Sequence, residues 1–147
     1  MDAEPALLKL NLPARPEAAG AARKALAALN GSLHLVSEAR LRDAEMLVTE
    51  LVSNAVRYGS HAGDEVSIVA RATSSVLRVE VRDFGSSFDP GDLAAPSTDH
   101  GGGWGLQIVA RLAHRWGVSV GRTSTVWFEI DRPQDEAPPT AGPSSPE

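Results

Sequence analysis

An α+β two-layer α/β sandwich, with a mixed, largely antiparallel sheet and its helices on one face, is the fold class this sequence predicts. Three observations carry the prediction. Apolar residues alternate with a period of two in five short runs, most neighbouring runs are joined by hairpin-length turns, and three longer stretches carry a helical period. The order reads strand, helix, helix, strand, strand, long loop, helix, strand, strand, which suits a sheet with one covered face.

Leu8, Leu10 and Leu12 alternate with polar residues and stop at Pro13, which predicts the opening strand. From Pro16 to Asn30, Ala18, Ala22, Ala25, Leu26 and Leu29 recur at helical spacing, and Asn30-Gly31 reads as a helix stop. In the second helix Ser37 can cap, and Leu41, Ala44, Leu47, Val48, Leu51, Ala55 and Tyr58 form one apolar stripe before Gly59. Val66, Ile68 and Ala70, then Leu77, Val79 and Val81, alternate on either side of Thr73-Ser74-Ser75 and predict an antiparallel hairpin ending at Asp83. Phe84 to Gly103 is rich in Gly, Ser, Pro and Asp without apolar period, longer than an ordinary connection, and reads as a functional lid. A third helix begins with Leu106, Ile108, Val109, Leu112 and Ala113, and two runs, Trp116 to Gly121 and Thr125 to Ile130, predict a terminal hairpin.

The chain has 147 residues, enough for one domain with a substantial core. We expect that domain over residues 1–131 and a disordered, proline-rich tail over 132–147, which holds five of the ten prolines and no apolar period. Net charge is −5 with scattered basic residues, which argues against direct nucleic-acid binding. Cysteine is absent, so disulfides, thiolate zinc sites and cysteine nucleophiles are excluded. No apolar stretch reaches membrane-spanning length and Met1-Asp2-Ala3-Glu4-Pro5 is unlike a signal peptide, so the cytoplasm is expected, with no membrane contact. His34, His61, His100 and His114 are dispersed without metal-ligand spacing.

Three stretches carry candidate chemistry. Glu50 and Asn54 are four residues apart and Arg57 three further, so all three emerge along one helix edge. A carboxylate there suits the deprotonation of a hydroxyl or water, an amide oxygen suits Mg²⁺, and a guanidinium suits phosphate. Taken alone, the trio also reads as a solvated helix edge. Asp83 ends a strand and precedes Phe84-Gly85, where a glycine lets a ligand approach; a carboxylate so placed can accept a hydrogen bond from an exocyclic amine such as adenine's, or simply open a turn. Asp-Phe-Gly is also a protein-kinase motif, but the kinase catalytic loop and strand lysine are missing. Gly101-Gly102-Gly103-Trp104-Gly105 stands directly before a helix, where exposed N–H groups and the helix dipole favour a triphosphate, or where the run is a hinge.

In this order the helix motif, the Asp-x-Gly motif, the lid and Gly103-Trp104-Gly105-Leu106 resemble the gyrase, Hsp90, histidine-kinase and MutL ATPase superfamily over roughly residues 7 to 131. The chain is most similar to its small bacterial anti-sigma-factor serine kinases, through Asp83-Phe84-Gly85-Ser86-Ser87-Phe88-Asp89 and Thr125-Val126-Trp127-Phe128-Glu129. The resemblance implies a Bergerat-type ATP-binding fold, ATP and Mg²⁺ as cofactors, Glu50 as catalytic base and Asn54 as Mg²⁺ ligand. It further implies Asp83 as the adenine-reading carboxylate with Gly85 beside the base, Gly103, Gly105 and Leu106 near the phosphates, and Arg57 where relatives carry a lysine or arginine. Ser87 replaces the wider superfamily's second glycine, as is usual in the anti-sigma branch, and Trp104 is bulky for its motif. The implied activity is serine/threonine phosphorylation of an antagonist protein combined with sequestration of a sigma factor, and the implied assembly leaves room for a homodimer. Two other functions stay open: a non-catalytic ATP-binding interaction module and a stand-alone ATP hydrolase.

Overall fold

Alternation places Val66, Ile68 and Ala70 of β2 (Glu65–Ala72), Leu77, Val79 and Val81 of β3 (Val76–Asp83), and Val126, Phe128 and Ile130 of β5 (Ser124–Asp131) on one side of a sheet. All nine are buried. The computed structural model describes residues 6–59, 64–83, 104–120 and 124–132. β1 (Leu8–Pro13) and β4 (Arg115–Val120) complete the five strands among the described residues, in the order β1-β2-β3-β5-β4. Every pairing among them is antiparallel. The largely antiparallel sheet expected from the hairpins is therefore present. β3 and β4 point the same way, as a helical crossover between them requires, but β5 lies between the two.

The helical layer packs on the apolar side. α1 (Glu17–Leu33) lies along α2 (Glu38–Asn54), and α2 rests on β3 and β5. α3 (Trp104–Leu112) packs against α2 and β4. Ala18, Ala19 and Ala22 are buried on α1, so small side chains let its backbone come close. Ser37 caps α2 as its sequence position suggested, its hydroxyl accepting from Arg40 N–H at 3.1 Å.

Two boundaries differ from expectation. Asn30 does not end α1, which continues through Gly31 to Leu33 and stops at His34, in the left-handed region at φ 51°. The reason lies in the side chain of Asn30: its Nδ2 donates to Val36 O at 3.1 Å and its Oδ1 accepts from Val36 N–H at 2.9 Å. The amide must stay helical to clamp the α1–α2 connection. α3 likewise starts at Trp104 rather than after the glycine run, so Gly105 and Leu106 belong to its first turn. The expected lid, Phe84 to Gly103, lies outside the described residues. So does the proline-rich tail after Arg132. Arg132 itself is tied to the fold through its N–H to Ser75 O at 2.8 Å and its guanidinium to Leu35 O at 2.8 Å and Thr73 O at 2.5 Å.

The other side of the sheet is open and charged. Arg71 and Arg78 stand directly opposite one another on β2 and β3, a like-charge pair that would repel. Glu80 relieves it, with Oε1 at 3.3 Å from Arg71 and Oε2 at 2.9 Å from Arg78. Glu129 on β5 takes Arg78 at 3.0 Å and Arg115 of β4 at 2.7 Å, and Arg115 also binds Asp131. Burial would raise the Glu129 carboxyl, but the hydrogen bonds from Arg115 and Arg78 outweigh it and hold the group below the ordinary glutamate value. Trp127 lies in the adjacent row, opposite Gly117 and 4.1 Å from the Arg78 guanidinium.

Candidate functional site

Where α2 ends, the backbone changes from α to π: Ala55–Gly59 forms a π-helical turn directly after Asn54. At the junction the Ala55 N–H is shared between Leu51 O and Val52 O. Such turns interrupt the even spacing of side chains and occur often at functional sites. Here Asn54 points inward and is 3% exposed, whereas Arg57 is exposed and already engaged in an interaction.

Asn54 meets the ends of two strands. Asp83, the last residue of β3, faces the helical layer because it continues the Leu77, Val79, Val81 alternation, and it is 2% exposed. Ser124, the first residue of β5, is paired directly with Asp83 and is also buried. Asn54, Asp83 and Ser124 line one recess whose remaining walls are Leu51, Ala55, Val81 and Val126. Its enclosed volume of about 10 Å³ has room for no more than one water. An amide, a carboxylate and a hydroxyl are thus set in an apolar surround, a combination suited to reading the polar edge of a base. Asn54 Nδ2 and Asp83 Oδ2 are buried there without a hydrogen-bond partner among the described residues, although Asp83 is engaged through another contact. Ser124 was not among the residues singled out from the sequence, where it falls in the Gly121-Arg122-Thr123-Ser124 turn. The available signal was register: counting back by twos from Val126 places it on the buried face.

Glu50 lines a neighbouring recess. One turn before Asn54 on α2, it is half-buried in a recess bounded by α1, α2 and α3, together with Arg23, Met46 and Ile108. Asn54 thus shares a recess with Asp83 and Ser124, while Glu50, one turn earlier on the same helix, lines the neighbouring one. Gly105 and Leu106 stand in the first turn of α3, whose leading N–H groups have no partner within the helix. Gly85 and Gly103 lie outside the described residues.

An Mg²⁺–nucleotide fits these donors chemically. Asn54 is a buried amide with an unused polar atom, and a half-turn of its side chain exchanges nitrogen for a hard oxygen ligand. By contrast, the groove on the open sheet face, about 360 Å³, is lined by Arg71, Arg78, Glu80 and Glu129, whose charges already satisfy one another. No helix among the described residues is long and apolar enough to cross a membrane, and no group of three or more His, Asp or Glu forms a metal cluster among them.

Comparison with known structures places the fold. The chain is similar to the RsbU and RsbW domains of a Mycobacterium tuberculosis protein, with a TM-score of 0.65 and 20% identity. That alignment covers 87% of this chain but only 32% of the mycobacterial one, so this chain spans about a third of its length. It is also similar to the Pseudomonas aeruginosa SiaB–SiaC complex structure, with a TM-score of 0.58, 14% identity, and coverage of 86% of this chain and 90% of that one. The histidine kinase AdeS of Acinetobacter baumannii gives a TM-score of 0.50 and 23% identity over 84% of this chain and 67% of the other. No curated protein matches the chain. The sequence matches the family described as histidine kinase-like ATPase domain over residues 12–130, from the end of β1 to the end of β5, and the chain belongs to that family.

Proposed function

We propose that this protein is an ATP-dependent serine/threonine protein kinase of the anti-sigma type. It would act in the cytoplasm by phosphorylating an antagonist protein and sequestering a sigma factor. The observation that carries the reading is the meeting of Asn54 and Asp83, from separate elements, in one buried recess of a histidine kinase-like ATPase domain. The likeness to an RsbW domain and to SiaB, a protein solved together with SiaC, supports a protein acceptor rather than a small molecule.

In this reading Asp83 accepts the exocyclic amine of adenine, with Ser124 beside it, and Asn54 offers its amide oxygen to Mg²⁺. When bound, Mg²⁺–ATP supplies the transferable phosphoryl group and neutralises charge on it. The first-turn N–H groups of α3, around Gly105 and Leu106, stabilise phosphate oxygens, and Arg57 adds positive charge at the rim. The family resemblance would give Gly85 a role at the base and Gly103 one at the phosphates. Glu50 would take the proton of the acceptor hydroxyl as that oxygen bonds to the γ-phosphorus and the γ-phosphorus–ADP bond breaks, ADP leaving with the bonding electron pair, which is general-base catalysis.

Two substitutions test this. Asp83→Asn should weaken ATP binding by about tenfold or more, because one donor–acceptor pair to adenine is reversed. Glu50→Ala should leave ATP binding intact while phosphorylation of a cognate antagonist falls by about 10²–10⁴-fold. Isothermal titration and phosphate incorporation measure the two effects. Wild-type protein that binds ATP yet modifies no antagonist would instead be an interaction module, and phosphate release without a protein acceptor would identify a hydrolase.

A further inference from the structure

The recess that holds Glu50 extends well beyond it. Arg42, Glu45, Met46, Thr49 and Glu50 follow one another along one side of α2, and with Arg23 of α1 and Ile108 of α3 they line a groove of about 520 Å³. Met46 is 50% exposed there, beside Leu47 and Val48 at 0%. A flexible apolar side chain is thus offered to solvent within reach of the proposed base, and methionine adapts readily to a partner's surface. The Thr49 hydroxyl donates to Glu45 O at 2.7 Å and is committed to the helix.

The arginines of this groove differ from those of the open sheet face. On the open sheet face Arg71, Arg78 and Arg115 each bind carboxylates. Arg23 and Arg42 are exposed and form no ion pair among the described residues, in a chain of net charge −5. Spacing then sets a pattern. Met46 precedes Glu50 by about 6 Å along the helix axis and Arg42 by about 12 Å, at 1.5 Å per residue. An extended segment advances about 3.3 Å per residue, so the second residue from a hydroxyl at Glu50 reaches Met46 and the fourth reaches Arg42. Glu45 makes the middle of the groove unfavourable to an acid and leaves Arg42 as the place for one.

We propose that this groove seats the phosphoacceptor segment in extended form and selects, outward from the acceptor hydroxyl, the pattern hydroxyl, any, apolar, any, acidic. The inference rests on the kinase reading of Glu50 and adds the specificity of its protein substrate. Arg42 and Met46 are the selecting residues, and Arg23 guards the opposite wall.

The chain contains two methionines, Met1 and Met46, so a carbon-13 methyl label gives a resonance in the groove, assigned by its loss in Met46→Leu. The probes are the peptide Ser-Ala-Leu-Ala-Glu-Ala, the same sequence reversed, and both with lysine in place of glutamate. One glutamate peptide should shift the Met46 resonance and bind about fivefold more tightly than its lysine counterpart, and Arg42→Glu should invert that preference. No shift at millimolar peptide, equal binding of both charges, or a preference unchanged in Arg42→Glu would overturn the proposal. ATP binding is titrated on the same samples. Charge selection without ATP binding would remove the kinase reading and leave the groove as a peptide site, whereas ATP binding without charge selection would remove the groove alone.

Discussion

The two faces of the sheet are built from the same strands and solve opposite problems. On the face under the helices, Val79, Val81, Phe128 and Ile130 exclude water, and the few polar groups, Asn54, Asp83 and Ser124, gather at one end, where polar atoms keep unused hydrogen-bonding capacity. On the open face polar groups are many, and Arg71, Glu80, Arg78, Glu129, Arg115 and Asp131 join hand to hand across four strands. The difference teaches where to look for chemistry. Polar groups that complete one another solvate a surface, while a polar group buried at a cost of about 1–3 kcal/mol without full satisfaction calls for a ligand.

The comparison breaks most visibly through the core. Phe128→Ala on the covered face should cost about 3–5 kcal/mol in urea unfolding, since the side chain is fully buried and the cavity would not close completely. Gly117→Ala on the open face should cost about 1–3 kcal/mol, because an added Cβ would meet Trp127 Cζ2 at 2.6 Å and the indole is held by Arg78. In a double-mutant cycle with Trp127→Ala most of that cost should vanish; additive effects would mean that the indole does not confine Gly117. Glu129→Gln should have the smallest effect, about 1 kcal/mol or less at neutral pH, as expected of exposed ion pairs. Its sign follows from the lowered Glu129 carboxyl: that stability is present above the ordinary glutamate range and is lost as pH falls through the lower folded value. Thermal unfolding at pH 7 and about pH 4 should therefore show a smaller acid loss in Glu129→Gln than in wild type. An equal loss would show that the open-face network adds nothing to acid sensitivity.

Most of the architecture was legible because it is periodic. Alternation in β2, β3 and β5 assigned the buried face before any pairing was known, and Ser37 announced the start of α2 through its capping chemistry. What was illegible depended on distant partners. Asn30-Gly31 has the composition of a helix stop, yet the amide bonds Val36 and keeps α1 helical for another turn. The π turn after Asn54 has no composition of its own, so Arg57 read as a continuation of the Glu50 and Asn54 edge although the helix winds differently beyond Asn54. Ser124 looked like turn chemistry because its role follows from pairing with Asp83, forty-one residues earlier in the chain. The groove along Arg42, Met46 and Glu50 needed α1 and α3 in place before its walls existed.

Strand order carries a consequence for biosynthesis. The last of the described strands, β5, is interior to the sheet, between β3 and β4, and it supplies Ser124 opposite Asp83. A nascent chain halted before Ser124 therefore leaves β3 with a bare hydrogen-bonding edge and the recess of Asn54 and Asp83 without Ser124. Such non-local pairing is slow to form and invites edge-to-edge association while it waits. The same ordering makes β5 the latch between β3 and β4, so a frameshift that removes it would leave those two strands without a common neighbour.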